Sequence, residues 1–338
     1  MKIAIHERKG GFTERWIAYC KENSIDYVLV NCFDSNIIDQ IKDCNALFWH
    51  YNHGISGEGL FAKQLLFAVQ QSGMAVFPNY NTNWHFDDKI GQKYLFESLN
   101  IPSIKTDVFY KKEDSLKWIE TALFPKVFKL SSGAGAINVR LVNSKRDAKK
   151  LTFKAFGKGF KNVNRLNIII DDFKKLLNKQ KKIKVFTKSF FKDFLFNIFK
   201  KGDRESGYIY FQEFIRNNKF DTRVIVVDDK AFAIRRFVRE NDFRASGSGQ
   251  IDFDCSKIDI ELIQMAFKVS NKIKTQCIAL DFVYNEMNEP LIIEISYGFS
   301  AKPYDNCEGY WTNDLGFVEG NFNPYGWMIE NVLNEINK

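Results

Sequence analysis

The chain of 338 residues has few of the residues that most often announce a chemistry. Its six cysteines, Cys20, Cys32, Cys44, Cys255, Cys277 and Cys307, form no CxxC pair, which argues against structural zinc and for a reduced, cytosolic protein. The four histidines, His6, His50, His53 and His85, make neither an HxH nor an HExxH pattern, so they read as local polar contacts rather than metal ligands. No apolar run is long enough to span a bilayer. The opening "MKIAIHERKGG" is too short in its apolar part for a signal peptide and reads as a first strand. No GxGxxG follows that strand, which disfavours a dinucleotide domain, and no GK[ST] precedes a helix, which excludes a Walker loop.

Acid is scarce in one place. Residues 143–206 hold 19 Lys/Arg and 6 Asp/Glu, a net +13, while the remainder carries 30 bases and 35 acids, a net −5. One segment therefore accounts for the overall +8. A nucleic-acid-binding protein more often carries its positive charge on the main binding fold, so that class is disfavoured. Within the segment, 188–201 ("KSFFKDFLFNIFKK") puts Phe190, Phe191, Phe194, Leu195, Ile198 and Phe199 on one helical face. Lys188, Lys192, Asp193, Asn197 and Lys200 face away, with Phe196 the exception. Two readings stay open: a helix that covers its own domain, or an interfacial helix that meets anionic lipid or a lipid-linked glycan.

What is present in quantity is alternation. Over the first 80 or so residues, "KIAI", "DYVLVNC", "ALFWHY" and "AVFPN" read as strands, and "TERWIAYCKENS", "NIIDQIKDC" and "GLFAKQLLFAVQQSG" as helices. Strands alternating with helices imply a parallel sheet, whose ligands bind at the carboxyl ends of the strands. Those ends carry His6, Glu7, Arg8 and Gly10, then His50, Asn52 and His53; Glu7, Arg8, His50 and His53, with Arg223 later in the chain, are the candidate substrate contacts. A helix over 87–99 follows, with Asp87 or Asp88 as its N-cap. Beyond it an α+β region begins.

In "FPKVFKLSSGAGAINVRLV" a strand ends at Lys129, a small glycine-containing turn follows, and "INVRLV" returns. Gly133 and Gly135 free backbone N–H groups to approach an anion, and Lys129 adds a point charge. An ordinary hairpin with an exposed lysine is the alternative. "YIYFQEFIRNNKFDTRVIVVDDKAFAIRRFV" then gives three strands, and Arg223, Arg235, Arg236 and Arg244 gather along them and the loop "ENDFRASGSGQ". Such arginines suit polyphosphate or a developing oxyanion, or are solvated sheet faces.

The most telling segment is "ALDFVYNEMNEPLIIEISYG". Its turn, 285–290, joins two β-prone runs, each with a carboxylate amid apolar neighbours. A hairpin centred between Met287 and Asn288 opposes Asp281 to Glu294, with Cβ atoms roughly 4.5–5.5 Å apart. Alternation puts Val283, Ile292 and Ser296 on the same face. Two like charges so close repel, and a divalent cation between them, such as Mg²⁺, is the simplest remedy. A register shifted by one, exposing one acid, is the alternative.

Taken in order, these pieces resemble the ATP-grasp carboxylate–amine ligases, most closely the branch of glutamate ligases that modify ribosomal protein tails. The resemblance covers residues 81 to 296, with the basic segment as an insertion. Asp88-Lys89 resembles the opening of the family's nucleotide site. Pro125 to Lys129 resembles its P-x-V-x-K strand, and 131–136, with Ser131, Ser132 and Gly133, its flexible phosphate loop. Gln212-Glu213-Phe214-Ile215 resembles the hinge whose backbone meets adenine, and Asp221-x-Arg223 the D-x-R pair with the acid near ribose. Phe243-Arg244-Ala245-Ser246 resembles the F-R-x-N loop, and Asp281, Glu294 and Ser296 the Asp, Glu and Asn metal ligands. Ser246 and Ser296 stand where the family has Asn, which puts one coordination position in doubt.

The resemblance implies an N-terminal Rossmann-like α/β domain (1–86) and a two-lobed ATP-grasp fold, α/β and α+β overall. Its small lobe would be 87–207, including the basic insertion 143–206, and its large lobe 208–338. It implies ATP and Mg²⁺ as cofactors, with the nucleotide between the Lys129 and Glu294 lobes. It also implies an acyl phosphate made from a substrate carboxylate, and an amine that displaces phosphate, with Arg236 and Arg244 stabilising charge. The "EISYGF" and "GYW" pieces look like ATP-grasp proteins of bacterial surface-polysaccharide clusters. The partners so implied are a small-molecule or glycan carboxylate and an amine, in the cytoplasm or at the inner membrane face. The tail aromatics suit sugar stacking or a satellite core. A non-catalytic or phosphotransfer ATP-grasp module tethered by its basic insert is the alternative function.

Overall fold

The computed structural model describes residues 1–51, 57–133, 138–161, 204–239, 242–245 and 247–337. Two compact units emerge: Met1–Ile104 with Ile215–Lys338, and Lys105–Phe214. Compaction therefore divides the chain at 104 and 214, where family resemblance placed its boundaries at 86 and 207.

The larger unit opens with β1 (Lys2–His6), α1 (Phe12–Glu22), β2 (Asp26–Val30), α2 (Ile37–Ile41), β3 (Ala46–Phe48), α3 (Glu58–Gln71) and β4 (Ala75–Phe77). The strands form the expected parallel sheet in the order β2-β1-β3-β4. After α4 (Tyr80–Asn83) comes α5 (Lys89–Ser98). Asp88, not Asp87, caps α5: its carboxylate accepts from the N–H groups of Ile90 (3.1 Å) and Gly91 (2.9 Å), satisfying donors that a helix start leaves orphaned.

The same unit contains a seven-stranded antiparallel sheet. Its strands are β11 (Phe220–Val227), β12 (Lys230–Phe237), β13 (Ile251–Asp252), β14 (Cys277–Tyr284), β15 (Pro290–Ser296), β16 (Gly309–Thr312) and β17 (Phe317–Glu319). The helix α8 (Ile260–Ile273) buries Leu262, Ile263, Ala266, Phe267, Val269 and Ile273, the i, i+3, i+4 stripe of an amphipathic helix. That stripe shares a core with Val224, Val226, Ile278, Leu280 and Phe282, one face of the sheet. The opposite face, through Ile225, Val227, Phe232, Ile234, Cys277 and Ala279, shares a core with the parallel-sheet domain and the final helix α9 (Pro324–Ile336).

The tail aromatics belong to these cores. Tyr297, Phe299, Tyr304 and Tyr325 are buried in the same core as the parallel sheet, and Trp311 in the core under α8. These five hold the fold, while Phe317 is exposed and Tyr310, Phe322 and Trp327 are half-buried.

The smaller unit is a four-stranded antiparallel sheet, β5-β10-β6-β7, of β5 (Thr106–Phe109), β6 (Lys126–Lys129), β7 (Arg140–Val142) and β10 (Ile209–Glu213). It is joined by α6 (Lys112–Thr121), α7 (Lys145–Ala155) and the strand pair β8 (Phe160–Lys161) with β9 (Arg204–Glu205). The helix α7 lies inside the supposed insertion 143–206, yet Ala148 and Ala155 are fully buried with Phe128 and Phe211, and Thr152 Oγ1 lies 3.0 Å from Ser115 Oγ. The start of the basic segment is thus part of the core, because small residues at i, i+4 and i+7 let the helix sit close. The helix read at 188–201 lies outside the described residues. No helix among the described residues is long and apolar enough to cross a membrane.

Candidate functional site

One face of the large sheet changes character along its strands. On β11, β12 and β14 the residues Ile225, Val227, Phe232, Ile234, Cys277 and Ala279 are apolar and covered. Two residues further along the same alternation, that face carries Arg223 and Asp221, Arg236, and Asp281. Strand register brings them together: Arg223 pairs Asp281, and Asp221 pairs Arg236. The Arg223 guanidinium donates to both carboxylate oxygens of Asp281, at 2.6 and 2.7 Å. Arg236 donates to both oxygens of Asp221 at 2.7 Å, and its Nη2 also lies 2.8 Å from Asp281 Oδ2.

Two acids and two bases thus form one buried network. Burial works to raise the Asp281 carboxyl, and Arg223 and Arg236 overcome it, holding the group well below the usual carboxylate range. Asp221 goes the other way: burial, with the charge of Asp281, raises it against Arg236. The expectation that Asp221 presents its carboxylate to a ribose meets a carboxylate already bound bidentately by its cross-strand arginine.

Asp281 and Glu294 face each other directly in the β14–β15 ladder. The register then shifts, so that Phe282 opposes Ile292 and Ile293 is the extra residue of a bulge. The bulge corrects one detail of the sequence reading. Ile292 leaves the face of the acids and joins Phe282 and Ile295 in the core under α8. Glu294 is half-buried, with Lys89 Nζ 3.5 Å from its Oε1. Lys89 is the first residue of α5, so the Asp88 cap fixes where its side chain begins. Ser296 shares the face of Glu294, but its Oγ donates to the Gly298 carbonyl at 2.8 Å, a local bond that a short side chain makes readily. Among the described residues, no group of three or more His, Cys, Asp or Glu gathers that could hold a metal ion.

The smaller unit carries the other expected residues. Lys129 ends β6, opposite Tyr210, and is buried. Ser131, Ser132 and Gly133 follow; Gly133 has φ 105°, a conformation open to glycine at little cost. The Ser131 N–H lies 3.0 Å from Glu205 Oε2 and 2.7 Å from the Tyr208 hydroxyl, and the Ser132 hydroxyl donates to Glu205 Oε1. Gln212 is buried and donates to Thr106 Oγ1 at 3.2 Å and Tyr210 Oη at 3.3 Å, so its side chain serves the sheet. The Glu213 N–H donates to the Lys105 carbonyl at 2.9 Å, and Lys126 donates to the Glu213 carboxylate. Phe214 is the last residue of the smaller unit, and Ile215 the first of the chain's return to the larger.

At the parallel sheet, Arg8 Nη1 donates to the His50 carbonyl at 3.2 Å and lies 3.6 Å from Glu58 Oε1. His50 Nδ1 accepts from the Phe12 N–H at 3.1 Å, and the ring stacks on Phe12 at 3.8 Å. Glu7 is exposed. His53 lies outside the described residues, as does Ser246. Of the remaining arginines, Arg235 sits on the opposite sheet face and pairs with Asp252. Arg244 donates from Nε and Nη2 to Asp242, at 2.9 and 2.6 Å to Oδ2. Burial alone would raise Asp242, and the Arg244 bonds hold it below its ordinary value.

Sequence reasoning missed Glu205, Tyr208, Lys126, Asp242 and Glu58. Glu205 stood in a segment read as basic insertion, and a single acid there carries no pattern. Glu58, buried at the start of α3 with its Oε2 unpartnered among the described residues, looks in sequence like any acid in a first helical turn.

Comparisons with known proteins bear on the fold that carries these residues. The RimK-like ATP-grasp domain family matches residues 200–305. No curated protein matches significantly. Among solved structures, the chain is similar to a RimK domain ATP-grasp protein from Sphaerobacter thermophilus, with TM-score 0.58 and 14% identity over 98% of this chain and 100% of that one. It is similar to N5-carboxyaminoimidazole ribonucleotide synthetase from Thermotoga maritima, with TM-score 0.60 and 14% identity over 98% and 76% of the two chains. It is also similar to the ATP-grasp ligase PsnB complexed with a precursor peptide and AMPPNP, with TM-score 0.57 and 10% identity over 100% and 98%.

Proposed function

We propose that this chain, an ATP-grasp protein whose residues 200–305 match the RimK-like domain, is an ATP-dependent, ADP-forming carboxylate–amine ligase. The observation that carries the reading is the Asp281–Glu294 pair, directly opposed on a charged sheet face and flanked by Arg223, Arg236 and Lys89.

The donors fit one Mg²⁺ that keeps water and phosphate in most of its shell, since one or two carboxylates are what this ion takes from protein. Glu294 and Asp281 would hold it, Glu294 as the less committed carboxylate, with Ser296 outside the set because its hydroxyl is bonded to Gly298. When bound, the ion neutralises the terminal phosphates. Arg223 and Arg236 keep Asp281 ionised but engage both its oxygens, so Asp281 would share its carboxylate with these guanidiniums and Glu294 would be the principal protein ligand. Lys89, Lys129, the Ser131–Gly133 donors and Arg244 serve phosphate, and the 212–215 backbone serves adenine. Arg8 and His50 serve the acid or amine substrate. Catalysis on this reading is positioning and charge neutralisation, with no protein nucleophile.

The acid we propose is a sugar acid or glycan carboxylate of surface-polysaccharide synthesis, on the motif resemblance at 294–299 and 309–311. The alternative is a peptide carboxylate, favoured by the precursor peptide with which PsnB is complexed. The concentration of +13 in residues 143–206 supports placement at an anionic inner membrane face. The test is Mg²⁺-dependent ADP release with panels of sugar acids, peptides and amines. Release that requires both an acid and an amine is expected. Tight Mg·ATP binding with no turnover on any pair would instead favour the non-catalytic module.

A further inference from the structure

Glu205 is not among the residues proposed to serve the nucleotide, yet its carboxylate accepts from the Ser131 N–H and the Ser132 hydroxyl. Its backbone is fixed. Glu205 pairs with Phe160 in the β8–β9 ladder. Gly159, at φ 67°, comes so close that an added Cβ would lie 2.6 Å from the Glu205 carbonyl oxygen. The N–H of Gly159 donates to Lys154 O at 2.7 Å and that of Gly207 to Ala155 O at 3.1 Å, which ties both sides of the pair to the buried helix α7. From this anchored position the carboxylate accepts three bonds: from the Ser131 N–H at 3.0 Å, from the Ser132 hydroxyl, and from the Tyr208 hydroxyl. Tyr208 Oη also receives the Ser131 N–H at 2.7 Å.

We propose that Glu205, braced by Tyr208, is a positioning residue that stands in for a phosphate and sets how tightly the loop takes up nucleotide. This rests on the reading of residues 131–133 as nucleotide donors. An ionised carboxylate and a phosphoryl group are both acceptor-only anions, and both seek the N–H and O–H donors of a tight turn. The Ser131 and Ser132 donors engaged by Glu205 are the ones a nucleotide phosphate would use. Phosphate and carboxylate cannot share them without like-charge repulsion. Because β9 is pinned through Gly159 and Gly207, the loop or the Glu205 side chain must move, not the strand. Glu205 thus keeps the donors ordered while no nucleotide is bound and competes with nucleotide when it arrives. The consequence is an affinity held below what the loop alone would give.

The experiment is calorimetric titration of the full chain with Mg·AMPPNP, comparing wild type with Glu205→Gln, Glu205→Ala and Tyr208→Phe, each first checked for an unaltered thermal transition. Both Glu205 variants are expected to bind about tenfold more tightly, equivalent to about 1.4 kcal/mol. Tyr208→Phe, which changes no charge but removes one donor to Glu205, is expected to bind about threefold more tightly. Unchanged or weaker binding in the Glu205 variants overturns the proposal. So does tightening confined to the Glu205 variants and erased by 0.5 M salt, since that is bulk charge and not competition for donors. If wild type binds Mg·AMPPNP and the variants match it, only this inference falls. If wild type and variants alike fail to bind, the nucleotide reading of the loop falls with it.

Discussion

Asp281 and Glu294 oppose each other in one ladder, yet their environments differ enough that neutralising each should cost the fold very different amounts. Asp281→Asn removes the shared anion of two guanidiniums, leaving Arg223 and Arg236 with Asp221 as the remaining acid of the network. The Asp281 side chain is only 10% exposed, and breaking a buried pair from one side costs about 3–5 kcal/mol. Glu294→Gln removes one contact, to Lys89 at 3.5 Å, from a side chain 31% exposed, and should cost about 1 kcal/mol or less. With a urea m value of about 3 kcal/mol/M, the first change moves the unfolding midpoint by about 1.3 M and the second by about 0.3 M. Activity should rank differently. Glu294→Gln should lose roughly 10²–10³-fold in Mg²⁺-dependent ATP turnover while staying folded, the order seen when one preorganised electrostatic group is lost. Urea unfolding followed by fluorescence, beside coupled detection of ADP, reads both quantities. Wild-type turnover in Glu294→Gln would sink the metal assignment. A midpoint shift in Asp281→Asn no larger than that of Glu294→Gln would refute the network argument.

Three further outcomes are expected. Burial lowers both His6 and His85 from the ordinary 6.5 to about 4, so each contributes stability that is full above about pH 6.5 and is lost as pH falls through about 4. His6 Nδ1 accepts the Cys32 N–H at 3.1 Å, a bond that protonation would break, and imidazole NMR should show both rings titrating near pH 4; midpoints near 6.5 would contradict it. Arg8→Ala should raise the KM of the acid or amine substrate by about tenfold with nucleotide affinity unchanged, because Arg8 ties the end of β1 to His50 and Glu58; an unaltered KM removes that region from the site. Co-sedimentation with anionic vesicles should be strong, weak with neutral vesicles, and reduced by salt. Deletion of 162–203 is the suitable control, since a cut at 143 would remove the buried face of α7; equal pelleting on both vesicle types, or on neither, favours a helix that covers its own protein.

What the sequence determined by itself is what depends on near neighbours. Period-two and period-3.6 patterns placed the strands and helices of the N-terminal sheet, and turn chemistry at 285–290 placed the short hairpin whose strands carry Asp281 and Glu294, though it is the bulge at Ile293 that brings the two acids opposite each other. Asp88 caps α5 through residues two and three positions on. Charge segregation could be counted. Only the tertiary structure decided the rest, because the deciding partner is far along the chain or lies in a third dimension that the pattern lacks. The bulge at Ile293 turns Ile292 into the core, where apolar surface under α8 wants it, and no turn residue signals the shift. Arg223 and Arg236 clasp Asp281 because strands separated by dozens of residues align in register; in sequence the same arginines could equally be a solvated face. Buried Ala148 and Ala155 make α7 core within a segment that its charge marked as insertion. Glu205 lay in that same segment without a motif, and it reaches Ser131 and Ser132 across a gap of more than seventy residues because β8 and β9 hold it there.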